Sequence, residues 1–196
     1  MKLYERLPDS VTVNRRRYRL DLDFRNVLRM MDILGRRDLL PEARDYLALK
    51  CLMRHPPRNA ALVLDTVKGI LFPEQKSTDN GPRITSFEQD ADLIRAAFRQ
   101  NYNIDLYRDK VHWLEFTGLL GALPEGSKYT EVLGIRARPM PKPTKYNREE
   151  RQALAKAKAH YALRLDGEEA EKTYQNGLRL MAESLLMLAD AAGGEN

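Results

Sequence analysis

The sequence predicts a mainly α protein: an N-terminal β-hairpin, then a helical bundle, then C-terminal helices. Two observations carry this expectation. Alternation of apolar and polar residues with period two is confined to Val11, Val13, Tyr18, Leu20 and Leu22, and later apolar residues recur at intervals of three and four. Capping and breaking residues also fall where those later stretches end, as helix termini require.

The two alternating runs are separated by Asn14-Arg15-Arg16-Arg17, which reads as the bend of a hairpin. Asn14 accepts the positive φ of a tight turn, but no glycine follows it, so a loop longer than two residues is expected. Arg15, Arg16 and Arg17 then sit at the tip. They read either as a wedge or phosphate contact, or as a charged edge that blocks strand-to-strand aggregation.

Asp23 suits the cap of a first helix in which Phe24, Val27, Leu28, Met31 and Leu34 share a face, with Arg25, Arg29 and Asp32 opposite and Gly35 at the end. Pro41 suits the first turn of a second helix with Ala43, Tyr46, Leu47 and Cys51 inward, stopped by His55-Pro56-Pro57. A third helix follows with Ala60, Val63, Leu64, Val67, Ile70 and Leu71 inward. The run PEQKSTDNGP from Pro73 to Pro82 has almost nothing to bury and reads as an exposed loop.

Ser86 with Gln89 forms a capping-box pattern that opens a fourth helix with Phe87, Ala91, Ile94 and Phe98 on its buried stripe. The stretch Leu106 to Leu123 is apolar on most sides and reads as a central buried helix anchored by Trp113. Pro124-Glu125-Gly126 ends it, and Lys128 to Ile135 makes one short helix more. Pro139, Pro141 and Pro143 then forbid a continuous helix. The expected organisation is a hairpin plus helical core over 1–138, a Pro-rich basic linker over 139–147 and a C-terminal helical segment over 148–196.

Asn147 with Glu150 gives the capping signal for a helix carrying Leu154, Ala157, Tyr161 and Leu165, and Asp166-Gly167 interrupts it. In the last segment Tyr174, Leu178, Met181, Leu185, Leu188 and Ala192 recur at heptad spacing, a seam for another helix. That seam either folds back on the chain's own core or docks onto a second chain.

Composition supports a folded chain: 196 residues, 43 % hydrophobic and 31 % charged. No apolar run approaches the roughly 18 residues of a membrane span, and charges stand in the first residues where a signal peptide needs an apolar stretch, so a soluble intracellular protein is expected. The single cysteine, Cys51, excludes an internal disulfide, fits a reducing cytoplasm and reads as a small buried hydrophobe.

The net charge of +5 is unevenly spread. From Arg136 to Lys158, eight basic residues (Arg136, Arg138, Lys142, Lys145, Arg148, Arg151, Lys156, Lys158) face Glu149 and Glu150 alone. Beyond Asp166 the sign reverses, with six carboxylates against Lys172 and Arg179. A basic tract before an acidic one suits protein partners or solvation. Nucleic acid is the less favoured partner, because no aromatics interleave the charges for base stacking.

No Gly-rich phosphate loop, G-x-S-x-G elbow, H-E-x-x-H or C-x-x-C occurs, so neither an enzyme, a cofactor nor a metal site is suggested. His112 reads as a helix residue at the edge of the core. His55 and His160 belong to no visible triad. Glu88, Asp90 and Asp92 suit the positive end of a helix dipole, and a magnesium site would need carboxylates from elsewhere.

Three ordered blocks, LPDSVTVNRRRYRLDLDFRNVLRMMDIL, SFEQDADLIRAAFRQNYNIDL and HWLEFTGLLGALPEGSKYTEVLGIRA, resemble the bacteriophage gene-product-fifteen family of tailed phages and prophages of Gram-positive bacteria. The resemblance covers roughly residues 3 to 165, and F-E-Q-D-A-D with I-D-L and H-W downstream is its most specific part. Relatives tend to carry a glycine where Arg15 stands, and the acidic segment after Asp166 lies outside the shared region.

The resemblance implies a non-enzymatic tail assembly chaperone in the cytoplasm of the bacterial host, absent from the mature virion. Its partners would be the tape-measure protein and, at hand-over, the tail tube protein, with self-association a further option and no membrane involved. Tyr174, Leu178, Met181, Leu185 and Leu188 are the expected client contacts, and the basic tract would steer the client. The rival reading is a DNA-binding or head-tail connector accessory that uses Arg15, Arg16, Arg17, Arg136, Arg138, Lys142 and Lys145 on phosphates.

Overall fold

The computed structural model describes residues 4–72 and 83–164. The loop expected at Pro73–Pro82 and the heptad seam after Asp166 lie outside the described residues. Among the described residues two antiparallel strands, β1 (Ser10–Val13) and β2 (Arg16–Arg19), precede seven helices, so the chain is mainly α with an N-terminal hairpin. The register pairs Val11 with Tyr18 and Val13 with Arg16. Val11, Val13 and Leu20 are buried, as the alternation requires. The connecting turn is shorter than expected. Only Asn14 and Arg15 form it, with φ of 51° and 62°, the two positive values of a type I′ turn whose twist matches the strands.

α1 (Phe24–Gly35) begins where Asp23 accepts the Arg25 N–H, and its buried face is Phe24, Val27 and Met30. Leu28, Met31 and Leu34 pack against the rim of the core rather than in it. α2 (Pro41–Leu52) starts on Pro41 as expected, but its inward face is Ala48, Leu49 and Leu52. Ala43, Tyr46 and Leu47, predicted inward, are on the outer side, while Cys51 packs against the rim of the core as expected. The helix carries apolar residues on both sides, and period alone does not say which side meets the core.

α3 (Ala60–Leu71) buries Ala60, Val63, Leu64, Val67 and Leu71 as expected. α4 spans Ala91–Tyr102 and starts five residues after Ser86. Ser86 instead closes a turn: its Oγ accepts the Gln89 N–H, while its own N–H donates to Asp90 Oδ2. The reciprocal capping bond thus goes to Asp90, not Gln89. Asn103, at φ 54°, ends α4 in the left-handed conformation that asparagine tolerates.

α5 is shorter than the apolar run suggests, covering Trp113–Gly121. The preceding residues form an irregular loop. Phe24 N–H donates to the Val111 carbonyl and Trp113 N–H to the Leu22 carbonyl, so these backbones pair across the core. α6 (Lys128–Ala137) is capped by Ser127, and α7 (Arg148–His160) follows the proline-punctuated stretch. Asn147 does not cap α7. Its side-chain amide joins the Thr144 N–H to the Lys142 carbonyl and so shapes the approach to the helix.

The elements pack in series: β1 on α3, α3 on α2, α2 on α1, α1 on α5, α5 on α4, α4 on α6 and α6 on α7. At the middle of this series Phe116 stacks on Phe24 of α1 (4.7 Å between ring centres) and on Phe98 of α4 (5.2 Å). Trp113 is buried as expected, its indole N–H donating to the Leu71 carbonyl. The ring joining both halves is nevertheless Phe116, with Trp113 at its side.

Candidate functional site

The hairpin tip presents its arginines in three different states. Arg15 is exposed in the turn, the Arg16 guanidinium lies over the Tyr18 ring, and Arg17 pairs with Asp9 at 3.3 Å in an exposed contact. An exposed pair of this kind adds little stability and leaves Arg17 accessible.

The basic tract does not form one surface. Arg136 is withdrawn into the fold, which corrects its place among the surface cations. Its guanidinium donates bidentately to Asp90 (2.8 Å to each oxygen), to the Ile84 carbonyl (2.9 Å) and to the Tyr161 carbonyl (2.6 Å). The Asp90 side chain is 1 % exposed. Burial alone would push this carboxyl up, but the Arg136 hydrogen bonds, the Ser86 N–H and the arginine charges hold it below the usual aspartate value. The clasp joins the start of α4, the end of α6 and the residues after α7. Asp90 is therefore a buried structural partner, not simply a dipole-compensating charge. Lys158 adds a hydrogen bond to the Arg136 carbonyl, and Arg138 pairs with Glu150 at 2.9 Å. Lys142 and Lys145 remain exposed.

A second clasp lies at the start of α1. Arg25 grips both Asp23 oxygens (2.8 and 2.9 Å) and reaches the carbonyls of Asp109 and Tyr107. Burial raises the Asp23 carboxyl, but the bonds from Arg25 outweigh it and the net shift is downward. His112 is the cap of α5: Nδ1 accepts the Leu114 N–H, which leaves Nε2 as the donor to the Pro8 carbonyl. Both nitrogens are thus occupied structurally. Cys51 is half-buried, with its thiol pushed up by burial and directed at the Leu47 carbonyl. Among the described residues no group of three or more His, Cys, Asp or Glu side chains converges, and no helix is long and apolar enough to cross a membrane.

The described surface offers two apolar features that sequence reasoning missed. The first is the outward face of α2, where Ala43, Tyr46 and Leu47 are exposed one turn apart; Tyr46 is 40 % and Leu47 37 % exposed. Its signal was present as a helical stripe but was assigned to the core. The second is a groove of about 290 Å³ between α1 and α4. These two helices each pack on α5 while touching one another little, so Phe116 and Ile94 floor a trough. Leu28, Phe87 and Ala91 form its walls, and Arg25, Arg29, Asp32 and Arg95 its rim. Further depressions extend it along α4 in both directions, to Glu88 and to Arg99. Arg95 is held over the Tyr107 ring at 4.5 Å. The expected client contacts Tyr174, Leu178, Met181, Leu185 and Leu188 lie outside the described residues.

The family model described as Bacteriophage Gp15 protein matches residues 3–163 of the chain. No curated protein and no solved structure matches it.

Proposed function

Because the chain belongs to the bacteriophage Gp15 protein family, we propose that it acts in phage tail morphogenesis as a non-enzymatic assembly chaperone, covering the tape-measure protein through helical surfaces. The observation that carries this reading is the unpartnered apolar face of α2 at Ala43, Tyr46 and Leu47, set on a helix whose opposite face is already committed to the core. A long helical client exposes apolar seams, and two helices bury such seams by laying ridge into groove. Reversible cover of this kind requires no bond-making residues. It operates in the cytoplasm of the host and ends when the client passes to the tube protein, which leaves the chaperone out of the virion.

Co-expression with the tape-measure protein of the same phage tests the proposal. The chain should raise the client's soluble fraction and elute with it. A Tyr46→Glu/Leu47→Glu variant should keep its own fold, because both side chains already face water, and lose co-elution at least tenfold. Equal co-elution by that variant removes α2 from the contact, and no effect of the wild-type chain on the client removes the chaperone reading.

The alternative, a DNA-binding or connector accessory, is favoured by the exposed cations Arg15, Arg16 and Arg17 at the hairpin tip and Lys142 and Lys145 in the linker. Its mark is duplex affinity that collapses steeply between low and moderate salt.

A further inference from the structure

We propose that the groove between α1 and α4 is the docking site of the chain's own acidic C-terminal segment, which lays the seam Tyr174–Leu188 into it. The inference concerns this chain alone and stands whether or not the tape-measure protein is its client.

Three observations on different levels point the same way. The first is where the described chain ends. The Gln89 side-chain amide grips the backbone of Arg164 from both sides, its Nε2 donating to the Arg164 carbonyl (2.8 Å) and its Oε1 accepting the Arg164 N–H (2.7 Å). Gln89 directly follows Phe87 and Glu88, which wall one end of the groove. The segment that follows Arg164 therefore starts from a point fixed to the residue next to that end of the groove.

The second is length. Residues 165–173 reach up to about 30 Å when extended, which is ample to enter the groove. As a helix the seam from Tyr174 to Leu188 measures roughly 22 Å, against roughly 18 Å for each of the 12-residue helices that form the walls.

The third is chemistry. The rim carries Arg25, Arg29 and Arg95 over an apolar floor, with Asp32 among them and Glu88 at one end; Arg25 is engaged by Asp23 and Arg95 by Asp92, while Arg29 donates to the Asn26 side chain. The segment beyond Asp166 has six carboxylates against two cations, along with a continuous apolar seam. An acidic amphipathic helix laid there would bury its seam on Leu28, Phe87 and Ala91 and could set a carboxylate beside Arg29. The apolar contact would supply affinity, and the charges would fix orientation.

The test uses the full chain with Cys51→Ser and Ser184→Cys, carrying a nitroxide at position 184. Amide signals of Leu28, Arg29, Ala91 and Arg95 should lose at least half their intensity relative to the reduced label, while those of Leu62 on α3 should not change. The effect should vanish in a Leu185→Glu/Leu188→Glu version whose remaining spectrum shows the fold intact. Unattenuated groove signals would overturn the proposal. So would attenuation that survives the tail substitutions, and so would attenuation seen only when labelled and isotope-enriched molecules are mixed, which would assign the groove to the tail of a second copy.

Discussion

Arg15 occupies a position that most side chains avoid. At φ 62° its Cβ crowds the neighbouring carbonyl, a cost of roughly 1 kcal/mol that glycine escapes. Arg15→Gly should therefore raise the melting temperature by about 2–4 °C in calorimetry, the shift expected of about 1 kcal/mol in a chain of this size. A variant that melts lower would mean that the arginine makes a compensating contact. Asp90 gives the opposite case. Asp90→Asn leaves the Arg136 guanidinium buried without its counter-charge, at a cost of about 3 kcal/mol, whereas Asp90→Leu combined with Arg136→Met removes both charges and should recover much of that loss in urea titrations. If the double variant is no more stable than the single one, the hydrogen bonds from Arg136 to the Ile84 and Tyr161 carbonyls matter more than the pair. Neither position was legible in sequence. The turn lacks its usual glycine, and Arg136 sits among seven other cations with nothing local to mark the one whose partner lies 46 residues earlier.

Helices show a different pattern of legibility. The cap at Asp23, the proline start of α2 and the stripe of α3 were readable, because each depends on residues within one or two turns of each other. Failures came where a tertiary contact overrides local preference. α5 is confined to Trp113–Gly121 because Val111 and Trp113 pair their backbones with the Leu22–Phe24 segment, and a helix running on from Leu106 would break those bonds. For α2 the side was misread, and the consequence is measurable. Leu49→Ala should cost about 2–5 kcal/mol by opening a cavity, and Leu47→Ala, at a side chain 37 % exposed, should cost no more than about 1 kcal/mol. Denaturant midpoints of the two variants decide it, and equal losses would place both faces in contact with the core.

Taken as a whole, the molecule is held at two of its joints by depressed carboxylates. Asp23 holds the Arg25 guanidinium that reaches the loop before α5, and Asp90 holds the Arg136 guanidinium that joins α4 to α6 and to the residues after α7. Both carboxyls titrate lower in the folded chain than in an unfolded one, where the ordinary value is about 3.9. Their contribution is complete above that value and is lost as pH falls through the lower folded values, so stability should hold from neutrality to about pH 5 and drop below about pH 4. Urea midpoints across this range test it, and Asp90→Asn should flatten the acid limb. The groove between α1 and α4 was not legible in the sequence at all. It exists because two helices 56 residues apart meet the same ring of α5 and so stand off from each other, a distance that no local pattern encodes. The placement of Trp113 at that same joint gives the chain an intrinsic optical probe. As the only indole, hemmed in by Phe72, Phe87 and Phe116, it supplies a single uncluttered emission band, so a molecule settling against Phe87 would change its colour or brightness without any dye being attached.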